Sequence, residues 1–500
     1  MNGLQLSRRK LIAGAMGSPL LLVPFGCTGS AAGSSRSFED FMAAGHDPND
    51  DCSRALVAAA RWSAENDAVV TFSGRYRLVD CATITNRASF HFDNAIFDVS
   101  GRGGIGTLSN GARGRIGILF QHADDLRLSG AVHCRGDGMA GSTRLAGMVF
   151  DHCNRARVQA SVRYDNMAVG CSVMWCDDGI FGDVQASGMN GRQTFGNGTA
   201  GTALVVIGSR RTTFGRIDST ENYKPVLYCS VAKDAQGRAI DNENCVFGLV
   251  TGTSARRSLE SSLIALRSGR GCTFAGAVGT GFVCGYNITR YSSDAGFAVD
   301  GNQLGSLRGT FPSTGASADA AIIQHAESTA VAIGSNSMMA VEAQCSGEFG
   351  VALLSGELSC GRIEISGGRR PVVVSDATLR ADQIMISNQG LEALTVGQSG
   401  RLYGTSVDIR TGSLGGARAG VRYNPAFGSS GPMFVQLDNV RYRQNGTGTN
   451  LTYILYDPDN GPANWDVANV DVGGAIAGAL LEGRALNFRN GRVQTVAGKP

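Results

Sequence analysis

Charge and proline are scarce in this 500-residue chain: 17% of its residues are charged and 11 are proline. Low charge beside 43% hydrophobic residues excludes a disordered chain and points to a packed fold. Several chemical signatures are missing. There is no P-loop, no strand-linked Gly-x-Gly-x-x-Gly and no His-Glu-x-x-His, so the sequence offers no nucleotide, dinucleotide or zinc-protease motif. The glycines of Gly101–Gly106 lack a βαβ context and read as a turn. No Gly-X-Y period accompanies the 70 glycines, which excludes collagen. No apolar run is long enough for a stable transmembrane helix. An excess of one charge is absent too. Of 45 Lys and Arg, three are Arg8, Arg9 and Lys10; the other 42 face 42 Asp and Glu. A neutral body gives no reason to expect nucleic acid or a membrane surface as partner.

What is present begins with a leader. Ser7-Arg8-Arg9-Lys10-Leu11-Ile12, followed by the short apolar run to Leu20-Leu21-Leu22-Val23, resembles a bacterial twin-arginine export signal. Export to the periplasm, cell surface or medium is the expectation, with the leader over 1–32. Cys27 after Gly26 is a candidate lipid-anchor site, with cleavage near Ser30-Ala31-Ala32 the alternative. Residues 33–37 read as a tether. Thirteen cysteines in an exported chain invite disulfides, yet their spacing follows the repeats described below. Free, buried thiols are therefore expected, with Cys52–Cys81 the candidate disulfide.

Asp50 and Asp51 precede an alanine-rich segment, Ala55 to Trp62, as helix-capping residues do. A strand, Val69-Val70-Thr71-Phe72, follows, and then Ser73-Gly74-Arg75-Tyr76-Arg77-Leu78. The order Gly45-x-Asp47-x-x-Asp50-Asp51, helix, Val-Val-x-Phe-x-x-Gly-x-Tyr resembles the start of pectate-lyase-superfamily and tailspike-like proteins. One proline of the usual Pro-x-Gly-x-Tyr strand is missing. The resemblance covers about 45 residues. It implies an all-β, right-handed parallel β-helix with an N-terminal capping helix, and it implies polysaccharide as the partner.

The rest of the chain repeats. Short apolar strand, polar turn and second alternating strand recur in Leu119–Leu128, Val149–Val158, Val173–Ile180, Val206–Phe214, Ala265–Phe274, Ile322–Val331, Val373–Leu379 and Thr395–Leu402. Recurrence every 20 to 33 residues with period-2 alternation excludes helical solenoids and leaves a parallel β-solenoid over 38–424. Residues 425–500 read as last coils or a C-terminal cap.

Candidate chemistry sits on the turns. Asp177 and Asp178 could form a carboxylate pair for glycoside cleavage. They nevertheless align with Asp124-Asp125 and Arg210-Arg211 in other coils, as ordinary solvated turn residues would. His122, His152 and Cys176 align as a column that could hold zinc, or could be a ladder of like side chains. The least repetitive polar stretch, 218–270, holds Lys224, Arg256 and Arg257 as cations for a uronate and Tyr223 and Tyr228 for sugar stacking. Asp241, Glu243 and Glu221 supply its carboxylates. The leading expectation is a polysaccharide lyase or glycoside hydrolase. The alternative is a non-catalytic surface or exopolysaccharide-binding adhesin. No cofactor is required, with calcium the one left open. A cleft of convergent charged groups would favour the enzyme, and a flat face of stacked small polar residues the binding protein.

Overall fold

The computed structural model describes residues 34–43, 50–99, 104–136, 145–189, 201–254, 261–312, 319–411, 419–444, 453–456, 463–473, 481–482, 486–488 and 494–496. The leader with Cys27, and Arg256 and Arg257, lie outside them.

The chain winds as the expected parallel β-helix. Its described strands form a 24-stranded sheet, a 16-stranded sheet and one two-stranded pair. Pairing between successive coils is parallel among the described residues; Ile105–Thr107 pairs antiparallel with the strand that follows it, Arg113–Gln121, as a local hairpin. Each coil contributes one strand to the second sheet, turns a corner, and contributes one or two strands to the first. Ion pairs between adjacent coils show the coil length: Asp177 and Arg210 are 33 residues apart, whereas Glu357 and Arg380 are 23 apart.

A helix, α1 (Ser53–Asn66), closes the N-terminal end. Asp51 fixes its start, as the sequence implies: its Oδ1 accepts hydrogen bonds from the Ser53 backbone N–H, the Ser53 hydroxyl and the Val79 N–H. Burial pushes that carboxyl up, but the hydrogen bonds outweigh it and hold it below the usual range. Leu56, Ala59 and Ala60 bury against the first coil. Part of the expected tether is structured: Ser35–Ser37 is a strand paired with Val69–Thr71. Nor does coiling stop at 424. Met433–Leu437 pairs with the preceding coil, and pairing continues to Leu486–Phe488 and Gln494–Val496. The residues after 424 therefore include the last coils.

The interior is built from columns, because parallel in-register strands place equivalent residues over one another. Phe181, Phe214, Phe247 and Phe274 stack with ring centroids 5.4, 4.9 and 4.7 Å apart. Cysteines fill neighbouring columns. All twelve in the described residues are free, eleven of them buried. Cys52 and Cys81 are not bonded: the Cys52 Sγ lies 3.7 Å from Met42 Sδ, and the Cys81 Sγ 3.7 Å from Thr83 Oγ1.

The corner from second to first sheet turns on residues of positive φ. His122, His152 and Trp175 (+54°, +55°, +52°) bend the chain first, and Asp125, Arg155, Asp178 and Arg211 (+57°, +56°, +58°, +49°) bend it again. Each non-glycine there costs roughly 1–2 kcal/mol, which stacking on neighbouring coils must offset.

Candidate functional site

That corner carries most of the sequence candidates, and it spends them on one another. Arg210 donates to Asp177 through Nη2 (2.5 Å) and Nε, and Arg211 donates to Asp178 through Nε (2.7 Å) and Nη2 (2.9 Å). Two coils earlier, Arg155 pairs with Asp125 in the same bidentate way. Backbone bridges continue the row from Arg210 to Glu243 and from Glu243 to Arg270. Arg270 Nε then donates to Asp241 Oδ2 at 2.6 Å. Asp177, Asp178, Asp241 and Glu243 are thus brought together as members of a charge ladder. None forms the expected open acid–base pair. The guanidinium of Arg211 holds the Asp178 carboxyl below its usual range, the wrong direction for a general acid.

The other oxygen of Asp241 accepts from Ser268 Oγ and the Ala298 N–H, so this carboxylate pins a neighbouring loop. Tyr228, on the second sheet, is buried, and its hydroxyl accepts from Arg267 at 3.0 Å. It has no free face for a sugar. Glu221, Tyr223 and Lys224 lie on a different corner, where the first sheet returns to the second. Glu221 has φ +59°, as the turn there requires. Tyr223 is exposed and Lys224 half-buried.

The histidine column also differs from expectation. His122 stacks on His152 and His152 on Trp175, with centroids 5.1 and 5.2 Å apart. Trp175, not Cys176, is the third member; Cys176 points inward, in register with Cys153, whose N–H donates to its sulfur at 3.2 Å. Beneath the rings lies Asp151, fully buried. It accepts from the Ser109 N–H (2.7 Å), Ser109 Oγ (2.8 Å), Gln121 Nε2 (3.0 Å) and His152 Nδ1 (2.8 Å). Ser109 and Asp151 both meet the same ring nitrogen, Nδ1. A nucleophile relay needs them on opposite nitrogens, so this cluster is a structural clasp.

Further along the same corner is a groove that the sequence reading missed. Its volume is about 600 Å³. Coils here shorten to 22 or 23 residues, leaving bare turns at Leu354–Gly356, Asp376–Thr378 and Ser399–Arg401. Longer segments flank them: one holds Ser328 and Thr329. The other folds back, so that Phe427 O accepts from the Gln398 N–H and the Ser429 N–H donates to Asp376 at 2.8 Å. Ser328, Thr329, Ser355, Thr378, Ser399 and Ser429 bring hydroxyls to the lining. Arg401 is exposed and makes no ion pair among the described residues. Asp376 is the lining's one carboxylate, and Ser429 occupies it. The sequence held a signal for this site in Ser-Asp-Ala-Thr and Gly-Gln-Ser-Gly-Arg, which read only as copies of the repeat.

The outer face of the first sheet bears a second regular feature. Ser187, Thr220, Thr253, Thr280, Thr310, Gln344, Ser366 and Ser387 are register partners on eight successive coils, all at least partly exposed. They make a column of uncharged hydrogen-bonding groups, all Ser or Thr except Gln344.

No family model and no curated protein matches the chain. Solved structures similar to it include the tailspike protein of E. coli bacteriophage HK620 in complex with a hexasaccharide. That match has 12% identity and a TM-score of 0.44, over 89% of this chain and 71% of that one. The Agl-KA catalytic domain matches at 11% identity and TM-score 0.42, over 88% and 69%. The tailspike protein gp49 of Pseudomonas phage LKA1 matches at 10% identity and TM-score 0.39, over 84% and 74%. At these scores the similarities carry no conclusion about activity.

Proposed function

We propose that this β-helix binds an extended polysaccharide along the corner groove between residues 326 and 429, with Arg401 as the group that meets an acidic or strongly polar sugar substituent. The groove's composition carries the reading. Several hydroxyls and a guanidinium with no ion pair among the described residues line the cleft, and a chain of hydroxylated rings offers matching donors and acceptors. The uncharged column on the first sheet supports a binding role through its row of hydrogen-bonding side chains.

Hydrolysis calls for two carboxyl groups flanking the bond, and the lining offers one, already hydrogen-bonded. Binding is therefore favoured over cleavage, and the lyase and hydrolase alternatives are put to the same test. The leader-less protein is run through gels containing acidic and neutral polysaccharides, and each mixture is followed at 235 nm and for new reducing ends. The expected result is retarded migration with at least one acidic polysaccharide, lost in Arg401→Ala, without absorbance or reducing ends. Rising absorbance would establish β-elimination, and reducing ends alone would establish hydrolysis. Unchanged migration with every polysaccharide would overturn the reading.

A further inference from the structure

The strand Cys284–Arg290 runs into a loop, 291–298, that charged side chains hold from within. Asp294 is fully buried there and accepts from the Tyr291 N–H at 3.1 Å and from Arg267 Nε at 3.0 Å. Arg290, also buried, donates from Nη2 to the carbonyls of Asp294 and Phe297 at 2.8 and 2.7 Å. Asp241 accepts from the Ala298 N–H at the loop's far end. Burying ionised groups costs free energy, so this anchoring fixes the loop at some expense. What it presents to solvent is an aromatic ring: Tyr291 is 41% exposed.

The ring is backed and aimed. The Arg267 guanidinium lies over it, 4.7 Å from the centroid, and is itself held by Asp294 and the Tyr228 hydroxyl. Arg267 follows the strand Ser262–Leu266 of the preceding coil, so it supports Tyr291 from the side away from the groove. The groove begins on the next coil. Arg290 pairs with Ala326, which lines it, and the Glu327 N–H donates to the Arg290 carbonyl at 3.0 Å. The Glu327 carboxylate in turn accepts from the Ser292 N–H at 2.8 Å. Tyr291 therefore stands at the upstream rim of the groove. Four coil steps separate it from the coil of Arg401, about 19 Å along the axis at the usual strand spacing.

We propose that Tyr291 is a sugar-stacking residue, the first subsite of a binding track that continues down the groove to Arg401. The inference rests on the groove reading and adds two things to it. One is an apolar platform: a tyrosine already backed by a guanidinium offers a broad face to the C–H side of a sugar ring at little further entropic cost. The other is a minimum length, since a ligand that touches both residues is a chain of several sugars.

The test compares the full chain with Tyr291→Ala, Tyr291→Phe and Arg401→Ala in gels containing graded amounts of alginate, polygalacturonate, hyaluronate or dextran. With the polymer that retards the parent, Tyr291→Ala should weaken binding by roughly three- to tenfold, and Tyr291→Phe, which keeps the ring, should match the parent. Should Tyr291→Ala fold poorly, Tyr291→Trp reads the contact directly: its added indole emission should shift to the blue when that polymer is added. Parent-like retardation of a folded Tyr291→Ala beside an impaired Arg401→Ala would overturn this inference and leave the groove reading standing. So would equal losses in Tyr291→Ala and Tyr291→Phe, which would make the hydroxyl rather than the ring the contact, or an unshifted indole in Tyr291→Trp. A parent that no polymer retards would overturn both.

Discussion

Arg211 closes on Asp178 from the next coil with two nearly parallel hydrogen bonds, 2.7 and 2.9 Å long. Arg155 does the same to Asp125 two coils earlier, so the arrangement is a property of the corner rather than of one site. A carboxylate used this way stays ionised, and it is held away from any proton-donating role.

The ladder therefore predicts silence. Asp177→Asn and Asp178→Asn, singly or together, should leave polysaccharide retardation in gels unchanged; the urea midpoint should shift only slightly for Asp178, which is solvent-screened, and more for Asp177, whose side chain is 18% exposed. Loss of binding, or of any sugar-cleaving activity, on either substitution would return these residues to the functional site.

Gly208 continues the column of His122, His152 and Trp175 at φ +58°, and a Cβ there would lie 2.6 Å from the Trp175 ring. Gly208→Ala should destabilise the fold by roughly 1–3 kcal/mol through overpacking. Quenching or shift of indole fluorescence in the native state would report the displaced Trp175.

Phe247 stacks between Phe214 and Phe274 and is fully buried, whereas its neighbour Val246 is 45% exposed. Phe247→Ala should cost about 3–5 kcal/mol, and Val246→Ala should cost far less. Urea titrations of the two variants side by side check the contrast. Equal losses would contradict the assigned inward face.

Asp151 ties the segment at Ser109 to the histidine column. Burial raises its carboxyl, but hydrogen bonds from His152, Gln121 and Ser109 outweigh that and leave it below the usual value. The folded chain thus binds this proton more weakly than the unfolded one. Its contribution is whole above about pH 4, the unfolded carboxyl value, and fades as pH falls through the lower folded value. Asp151→Asn should cost about 1–3 kcal/mol near neutrality. Its urea midpoint should approach that of the parent as pH falls toward 3.

The coil architecture was legible because period-2 alternation and recurring polar turns are local properties, readable wherever a strand buries one face. Phe214, Phe247 and Phe274 recur at the coil spacing, and Asp51 stands where helix capping needs it. The histidine register slipped by one residue, placing Cys176 where Trp175 stands. The strands that lead into the turn, Leu145–Asp151 and Val169–Met174, are buried along their whole length, so no alternation fixes their register, and the ladder pairs Val173 with Phe150 rather than Val149.

Which polar side chains were free was decided only by stacking. Nothing in the sequence around Asp177 says that Arg210 lies over it, since the two meet across 33 residues of intervening coil. The groove has the same origin. Arg401 and Asp376 come from unremarkable short turns, and a cleft exists there because neighbouring coils carry longer segments that rise beside them. The sequence by itself determined the coil, its inward face and its cap, for these follow from burial within single strands. The tertiary structure alone decided which charges neutralise one another and which do not, because that depends on the register between coils.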